Sequence, residues 1–314
     1  MIGSLFSHTS SGGTVPVKKQ QLWRLQEKAA PYIFIAPFFL SFFVFMAYPI
    51  VFNFRLCFTE WMGVGPFRYV GLANFTRLLT DVAFRRAVAN SSFYAFGTIL
   101  VVLPVALALA IMMNSPELRY QTFFKSGFFL PSVTPVIVVS IVFLLIYNED
   151  YGLLNYVLRR VNLIERPVPW VNSTSLVKPA ILILILWRWA GYNMVYYLAG
   201  LAGIPKDFLE AATVDGATRW QVFWHITLPL LKPTIIFTVT TSLIGSYQIF
   251  TEPYIMTDGG PSFASISLVQ VIYRTGFQQL EFGRAAAMSL VVFIIIFGLS
   301  FLQMRWLRVW EDWE

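Results

Sequence analysis

Arg188 is a lone charge in apolar surroundings. Between Pro179 and Pro205 no other Asp, Glu, Lys or Arg occurs, with nine uncharged residues before the arginine and 17 after it. A guanidinium at membrane depth is costly and marks a binding role by default. It can donate to the hydroxyls or to an acidic substituent of a small molecule. It can equally pair with a carboxylate on a neighbouring helix, or lie near the interface if its helix begins later. The residue types around it suit recognition. Trp187, Trp189, Tyr192 and Asn193 sit beside it. Further along, Thr240, Thr241, Ser242, Ser246, Tyr247 and Gln248 form a polar stripe, with Gly245 leaving room for close approach and Glu252 at the outer end. Amides and hydroxyls can bond sugar hydroxyls, and aromatic faces can cover the C–H surface of a sugar ring. The same Ser and Thr also serve as packing contacts between helices, and Trp and Tyr as interfacial belt residues.

Bond-making chemistry has no constellation here. No G-x-S-x-G is present, and His8 and His225 have no visible triad partners. Cys57 is the one cysteine, so no intramolecular disulfide forms, and two histidines leave no thiolate or imidazole metal site. No G-x-x-x-x-G-K-[ST] occurs, so a P-loop is excluded. The 314 residues are 57% hydrophobic and 12% charged, with mean hydropathy +0.65. A soluble domain of that balance would lack the polar surface to cover itself. A soluble enzyme, a disordered chain and a nucleic-acid-binding domain are thereby excluded. The 23 Lys and Arg against 16 Asp and Glu give +7, but they are scattered and make no phosphate-binding patch.

The elements that must position these groups are membrane spans. A crossing needs about 20 apolar residues. Uncharged stretches of sufficient length are residues 29 to 54, 87 to 116, 126 to 148, 233 to 251 and 285 to 304. The stretch from Pro179 to Pro205 adds a sixth, interrupted by Arg188. None shows the period-two alternation of a barrel strand, so the expectation is an all-α integral membrane protein with six spans. Pro37, Pro49, Pro104 and Pro135 lie inside spans, where they read either as kinks along a transport path or as packing. The apolar stretch near the N-terminus is too long for a cleavable signal peptide, and no small-residue cleavage site follows. Lys18, Lys19, Arg24 and Lys28 before the first span favour a cytoplasmic N-terminus, and an even span count returns the C-terminus to that side. The whole-chain count is indecisive, because 11 basic residues fall on each side. The expected organisation is a cytoplasmic segment at 1–31, a membrane domain at 32–305 with a loop at 204–229, and a cytoplasmic tail at 306–314.

The loop at 204–229 is the one hydrophilic segment with a pattern. It reads as two short helices. Pro205 suits the first helical position, and Asp207 and Glu210 favour the early turns of the first helix dipole. Gly216 can take the left-handed stop. Thr218 followed by Gln221 fits a capping box for the second helix, which Leu228-Pro229 is placed to end. Such a compact knob suits a partner's groove.

At these residues the chain resembles a known family. Glu210-Ala211-Ala212, Gly216 after three intervening residues, and Ile226-Thr227-Leu228-Pro229 after nine more are similar to the EAA loop of ATP-binding-cassette importer permeases. Asp215, Gly216, Ala217, Trp220, Phe223 and Pro233 are similar to the carbohydrate branch. So are Trp187, Gly191-Tyr192, Leu198-Ala199-Gly200-Leu201 and Thr257-Asp258-Gly259-Gly260-Pro261. The resemblance covers at least residues 85 to 305 and implies the six-helix type I importer permease fold. It implies that Glu210, Ala211, Ala212, Asp215, Gly216, Ile226, Leu228 and Pro229 seat on a cytoplasmic ATPase subunit. In that reading Glu210 pairs with a basic residue there and Gly216 permits the turn. Two separate ATPase subunits, holding ATP and Mg, would rock two non-identical permease subunits between inward and outward states. This chain would bind no cofactor. An extracytoplasmic binding protein would deliver the sugar, docking on loops 55–85, 168–175 and 253–284. Tyr192, Ser242, Gly245 and Ser246 carry over as substrate-path residues, beside Arg188 and Asn193 of the fourth span and Tyr247 and Gln248 of the polar stripe. The host membrane would be the inner membrane of a bacterium or archaeon.

Three other readings compete. A permease for a polyol or a glycerol-phosphate-type solute would look alike, and Arg188 favours an anion. A proton-driven secondary transporter wants carboxylates within spans, and none lies inside the charge-bounded limits. A membrane enzyme lacks any catalytic set.

Overall fold

The computed structural model describes residues 17–115 and 117–306. Residues 1–16, including His8, and the tail at 307–314 lie outside the described residues.

Two compact units divide the chain at Arg55. In the first, α1 (Val17–Phe42) continues through a wide π turn at Phe43–Ala47 into α2 (Tyr48–Leu56). Pro37 is accommodated within α1, where the Ser41 hydroxyl donates to its carbonyl at 2.9 Å.

The second unit begins with a two-residue antiparallel ribbon, β1 (Thr59–Glu60) on β2 (Arg68–Tyr69), followed by α3 (Ala73–Thr80). Next, α4 (Val82–Gly97) and α5 (Leu103–Asn114) join through a π turn at Thr98–Val102. Helices α6 (Gln121–Val133), α7 (Val136–Ile146) and α8 (Leu153–Arg160) lead to the 26-residue α9 (Val177–Ala202). The loop carries α10 (Lys206–Val214), α11 (Arg219–Val222) and α12 (Leu228–Leu230). Then come α13 (Lys232–Tyr247), α14 (Thr251–Thr257), α15 (Leu268–Tyr273) and α16 (Phe282–Trp306).

Among the described residues, four continuous helical stretches are long and apolar enough to cross a membrane: Ala29–Leu56, Val82–Asn114, Val177–Ala202 and Phe282–Arg305. Two bent pairs, Gln121–Val133 with Val136–Ile146 and Arg219–Leu230 with Lys232–Tyr247, bring the number to six if each pair is one crossing. The fold is therefore all-α apart from the ribbon. The third span departs from a straight helix, with a 96° bend between α6 and α7. Pro135 has no N–H to donate and pushes its predecessor out of the helical region, and Thr134 takes φ −73° and ψ 136°. At three other prolines, Pro49, Pro104 and Pro229, the helix widens without breaking. Tyr48, Leu103 and Leu228 each precede a proline, and each donates its N–H five residues back, to Phe43, Thr98 and Phe223. The π turn moves the carbonyl that the proline ring would strike.

Helix α9 organises the second unit, packing on α4, α5, α6 and α13. Ala180, Ile181, Leu184 and Ile185 are buried with Tyr94, Val102, Val139 and Tyr147 in one core cluster. Met194 and Tyr197 join Ala106, Ala110 and Met113 in a second. Polar side chains tie the far loops to this bundle. The Asn90 amide donates to the carbonyls of Phe263 and Ile266, the Tyr94 hydroxyl to that of Ser265, and the Ser91 hydroxyl accepts from Leu268 N–H. Asn155 does the same for the segment after α8, bonding Glu149, Val168 and the Trp170 indole. Arg284 at the start of α16 pairs with Asp81, the cap of α4, and with Glu281 at 2.9 Å. Burial pushes the Cys57 thiol up to about 11, so it stays protonated and unreactive at neutral pH.

Gly191 lies where α6 crosses α9 most closely. A Cβ there would stand 1.7 Å from the Phe128 carbonyl oxygen. Gly191→Ala forces the two backbones apart and is expected to destabilise the unit by about 1–3 kcal/mol. In detergent the thermal midpoint should fall by several degrees; an unchanged midpoint contradicts this close crossing.

Candidate functional site

Two helices joined by one loop frame the site. Helices α9 and α13 lie together at the loop end. A Cβ on Gly200 would stand 2.4 Å from the Thr234 hydroxyl, and Thr238 donates to the Tyr197 hydroxyl at 2.9 Å in a buried contact. Further from the loop they border a cavity of about 520 Å³. Arg188, Trp189, Tyr192, Asn193 and Tyr196 line it from α9, and Thr241, Ser242, Gly245 and Ser246 from α13. Gln248, Phe250, Thr251 and Glu252 close the end beyond α13, and Thr98 reaches in from the π turn of the second span.

The polar groups of this cavity are partly spoken for. Tyr192 and Tyr196 share a hydroxyl hydrogen bond of 2.7 Å, and Ser246 donates to Thr98 at 3.2 Å. The Asn193 amide N–H donates to the Trp189 carbonyl, which leaves its own carbonyl oxygen as an acceptor. Nothing lies within 4 Å of a Cβ built on Gly245, so its missing side chain leaves open cavity. The Arg188 guanidinium lies 5.2 Å from the Trp189 ring centre, and its Nε and Nη1 are buried with no hydrogen-bond partner.

Of the eight substrate-path residues expected from sequence, the cavity brings together Arg188, Tyr192, Asn193, Ser242, Gly245, Ser246 and Gln248. Tyr247 is not among its lining. Its side chain is buried on another face of α13, with its hydroxyl 2.9 Å from that of Ser92. Thr240 also faces elsewhere and accepts from Gln303 at 3.0 Å. Thr98 and the cavity role of Glu252 were not anticipated. Thr98 is a hydroxyl beside a proline-induced π turn in an apolar span. Glu252 stands one residue beyond an uncharged stretch, where a count of charges treats it as an end marker.

The loop forms locally as its residues dictate, with two adjustments. Asp207 lies in the first turn of α10, but Pro205 is the N-cap, just before the helix. Gly216 takes φ +77°. Its N–H donates to Thr213 and that of Ala217 to Ala212, the paired bonds of a Schellman stop. Thr218 and Gln221 form the capping box in both directions. The following helix does not end at Leu228-Pro229. Leu228 closes the π turn that begins at Phe223, Pro229 falls early in α12, and the break comes at Leu231 with a 65° bend into α13. Ile204 and Leu231 are buried at the two ends of the loop, as is Ala212 within it. Glu210, Ala211, Asp215, Gly216 and Pro229 are exposed, while Ile226 and Leu228 are half-buried. Val214 is 87% and Trp220 69% exposed, with Phe208 and Trp224 also open. Exposed apolar groups gathered on one knob mark a contact surface. Arg219 pairs with Glu117 at 2.8 Å, but both are exposed and the pair adds little stability.

Residues 103–309 match the family described as binding-protein-dependent transport system inner membrane component. The arabinooligosaccharides transport system permease protein AraP of Bacillus subtilis (strain 168) is 38% identical over 292 residues, covering 91% of this chain and 92% of the relative. The lactose transport system permease protein LacF of Rhizobium radiobacter is 37% identical, covering 87% and 92%. In fold, the chain matches a bacterial ABC transporter involved in import of the acidic polysaccharide alginate, with TM-score 0.80 at 23% identity over 92% of this chain and 99% of that one. Both relatives are matched over nearly their whole length, and the family model spans the second core cluster, all of the cavity lining but Thr98, and the loop. The chain belongs to the inner-membrane components of binding-protein-dependent transport systems and is a permease subunit of an ATP-binding-cassette importer.

Proposed function

We propose that this chain carries a sugar or oligosaccharide through the cavity between α9 and α13, driven through the loop at 204–229 by separate ATPase subunits. One observation carries the reading: the exposed knob is the covalent continuation of both cavity walls. Helix α9 runs from the cavity into the loop, and the loop runs back into α13. Buried Ile204 and Leu231 anchor its two ends, and the Gly200–Thr234 and Tyr197–Thr238 contacts hold the walls together beside it. A push on the knob is therefore delivered to both walls at once, with no flexible linker between.

In this reading Glu210 offers its exposed carboxylate to a basic residue of an ATPase subunit, and Val214 and Trp220 fill its groove. ATP and Mg act on that partner, and this chain performs no catalysis. A second, non-identical permease subunit completes the path, and an extracytoplasmic solute-binding protein delivers the solute. The membrane is the inner membrane of a bacterium or archaeon. The segment at 1–31, the loop at 204–229 and the tail at 306–314 face the cytoplasm, with the membrane domain at 32–305 between them. The names of AraP and LacF support a saccharide as cargo. The buried Nε and Nη1 of half-buried Arg188 favour the second reading, a glycerol-phosphate-type anion.

Glu210→Ala is expected to leave the chain folded while reducing ATPase subunits co-purified with it, or to leave hydrolysis running without transport. Normal uptake with normal assembly contradicts the role. Gly216→Ala places a Cβ at φ +77° at a cost of about 1–2 kcal/mol. Amide exchange across residues 212–217 should quicken and coupling should weaken; Gly216→Asn should do less harm, since Asn tolerates this region. Equal effects of the two would show that backbone conformation is not the cause.

A further inference from the structure

Two residues of the cavity lining carry full charges, Arg188 and Glu252. They come from different helices. Arg188 is midway along α9, and Glu252 is in the first turn of α14, with only 7% of its surface exposed. Neither is an incidental surface charge. The guanidinium keeps two buried N–H groups without an acceptor. The carboxylate, when ionised, only accepts.

We propose that Arg188 and Glu252 act together as a selector for a neutral polyhydroxylated ligand, a saccharide, against an organophosphate. The proposal rests on the transport reading above and narrows its substrate class. A hydroxyl both donates and accepts. One hydroxyl of a sugar accepts from Arg188 while another donates to Glu252, so the ligand bridges the two opposite charges and the cavity stays neutral. A phosphate dianion has acceptors only. It satisfies Arg188 but sets negative charge beside a buried carboxylate, where low dielectric strengthens the repulsion. The carbonyl oxygen left free on Asn193 repeats the demand, since it too needs an O–H donor from the ligand. Trp189, stacked against the Arg188 guanidinium, offers a ring face to the C–H side of a pyranose. The charge pair thus decides between the two cargo classes that Arg188 alone leaves open.

The test uses the transporter assembled with its natural partners and no binding protein, titrated calorimetrically with neutral oligosaccharides (lactose and arabinobiose) and with sn-glycerol 3-phosphate. The native complex should bind a neutral sugar and show no heat with the anion. Glu252→Gln should weaken sugar binding by about tenfold, the loss expected when a hydrogen bond to a charged group goes, and should admit the anion. Arg188→Gln should weaken the sugar similarly without admitting the anion. If a single variant fails to assemble, the double change to Gln restores net neutrality and should keep the preference for the neutral ligand. A native complex that prefers the anion, or shows no preference, overturns the proposal. So does a Glu252→Gln complex with unaltered selectivity. The broader reading fails separately: the same complex in proteoliposomes, with its binding protein, would show no ATP-dependent uptake of any solute.

Discussion

A polar group taken out of water inside an apolar layer costs several kcal/mol unless another protein group bonds it. That constraint decides how these helices meet. Asn90, Ser91 and Tyr94 would be misplaced in the second span, except that they satisfy the backbone of the segment at 263–268. The Tyr147 hydroxyl donates to the Ala180 carbonyl, Gln303 donates to Ile236 and Thr240, and Thr238 donates to Tyr197. Each bond pins one helix to another at a defined height. Nε and Nη1 of Arg188 lack such a partner and border the cavity. The other buried atoms without a partner among the described residues, on Gln270, Arg284, Ser300 and Gln303, lie away from its lining.

The loop obeys the opposite rule. It is largely exposed, and water can satisfy its backbone, so its shape depends on local rules: a proline N-cap, a left-handed glycine, a reciprocal capping box. Its two ends return to the buried interior at Ile204 and Leu231. The result is a rigid projection on a rigid base. In the proposed coupling, stiffness at this point matters mechanically, because a slack connection would absorb the displacement meant for the cavity walls.

Much of this was legible before the structure. Charge-free intervals found the spans to within a few residues, as with 179–205 against Val177–Ala202, because a charge in lipid is costly whatever surrounds it. Gly216 and the Thr218–Gln221 box were also readable, since their partners are within four residues. What escaped depends on distant neighbours or on compensation. Proline position does not say whether a helix breaks, as at Pro135, or widens, as at Pro104. Ser246 and Tyr247 are adjacent in sequence, and only the packing of α13 on α4 decides that one faces the cavity and the other faces Ser92. Glu252 needed the fold of α14 to bring it inside.

In the proposed mechanism the loop at 204–229 passes work from a separate motor to the cavity. Gly245→Cys offers a direct probe, because the added side chain enters open cavity and the native Cys57 is buried. Its labelling by a membrane-impermeant thiol reagent is to be compared from each side of the membrane in the assembled transporter, without nucleotide and with ATP trapped. The account predicts access from one side in the resting complex and from the other in the trapped one, a switch lost in the Glu210→Ala background. Labelling that ignores nucleotide in a complex still importing solute would contradict it.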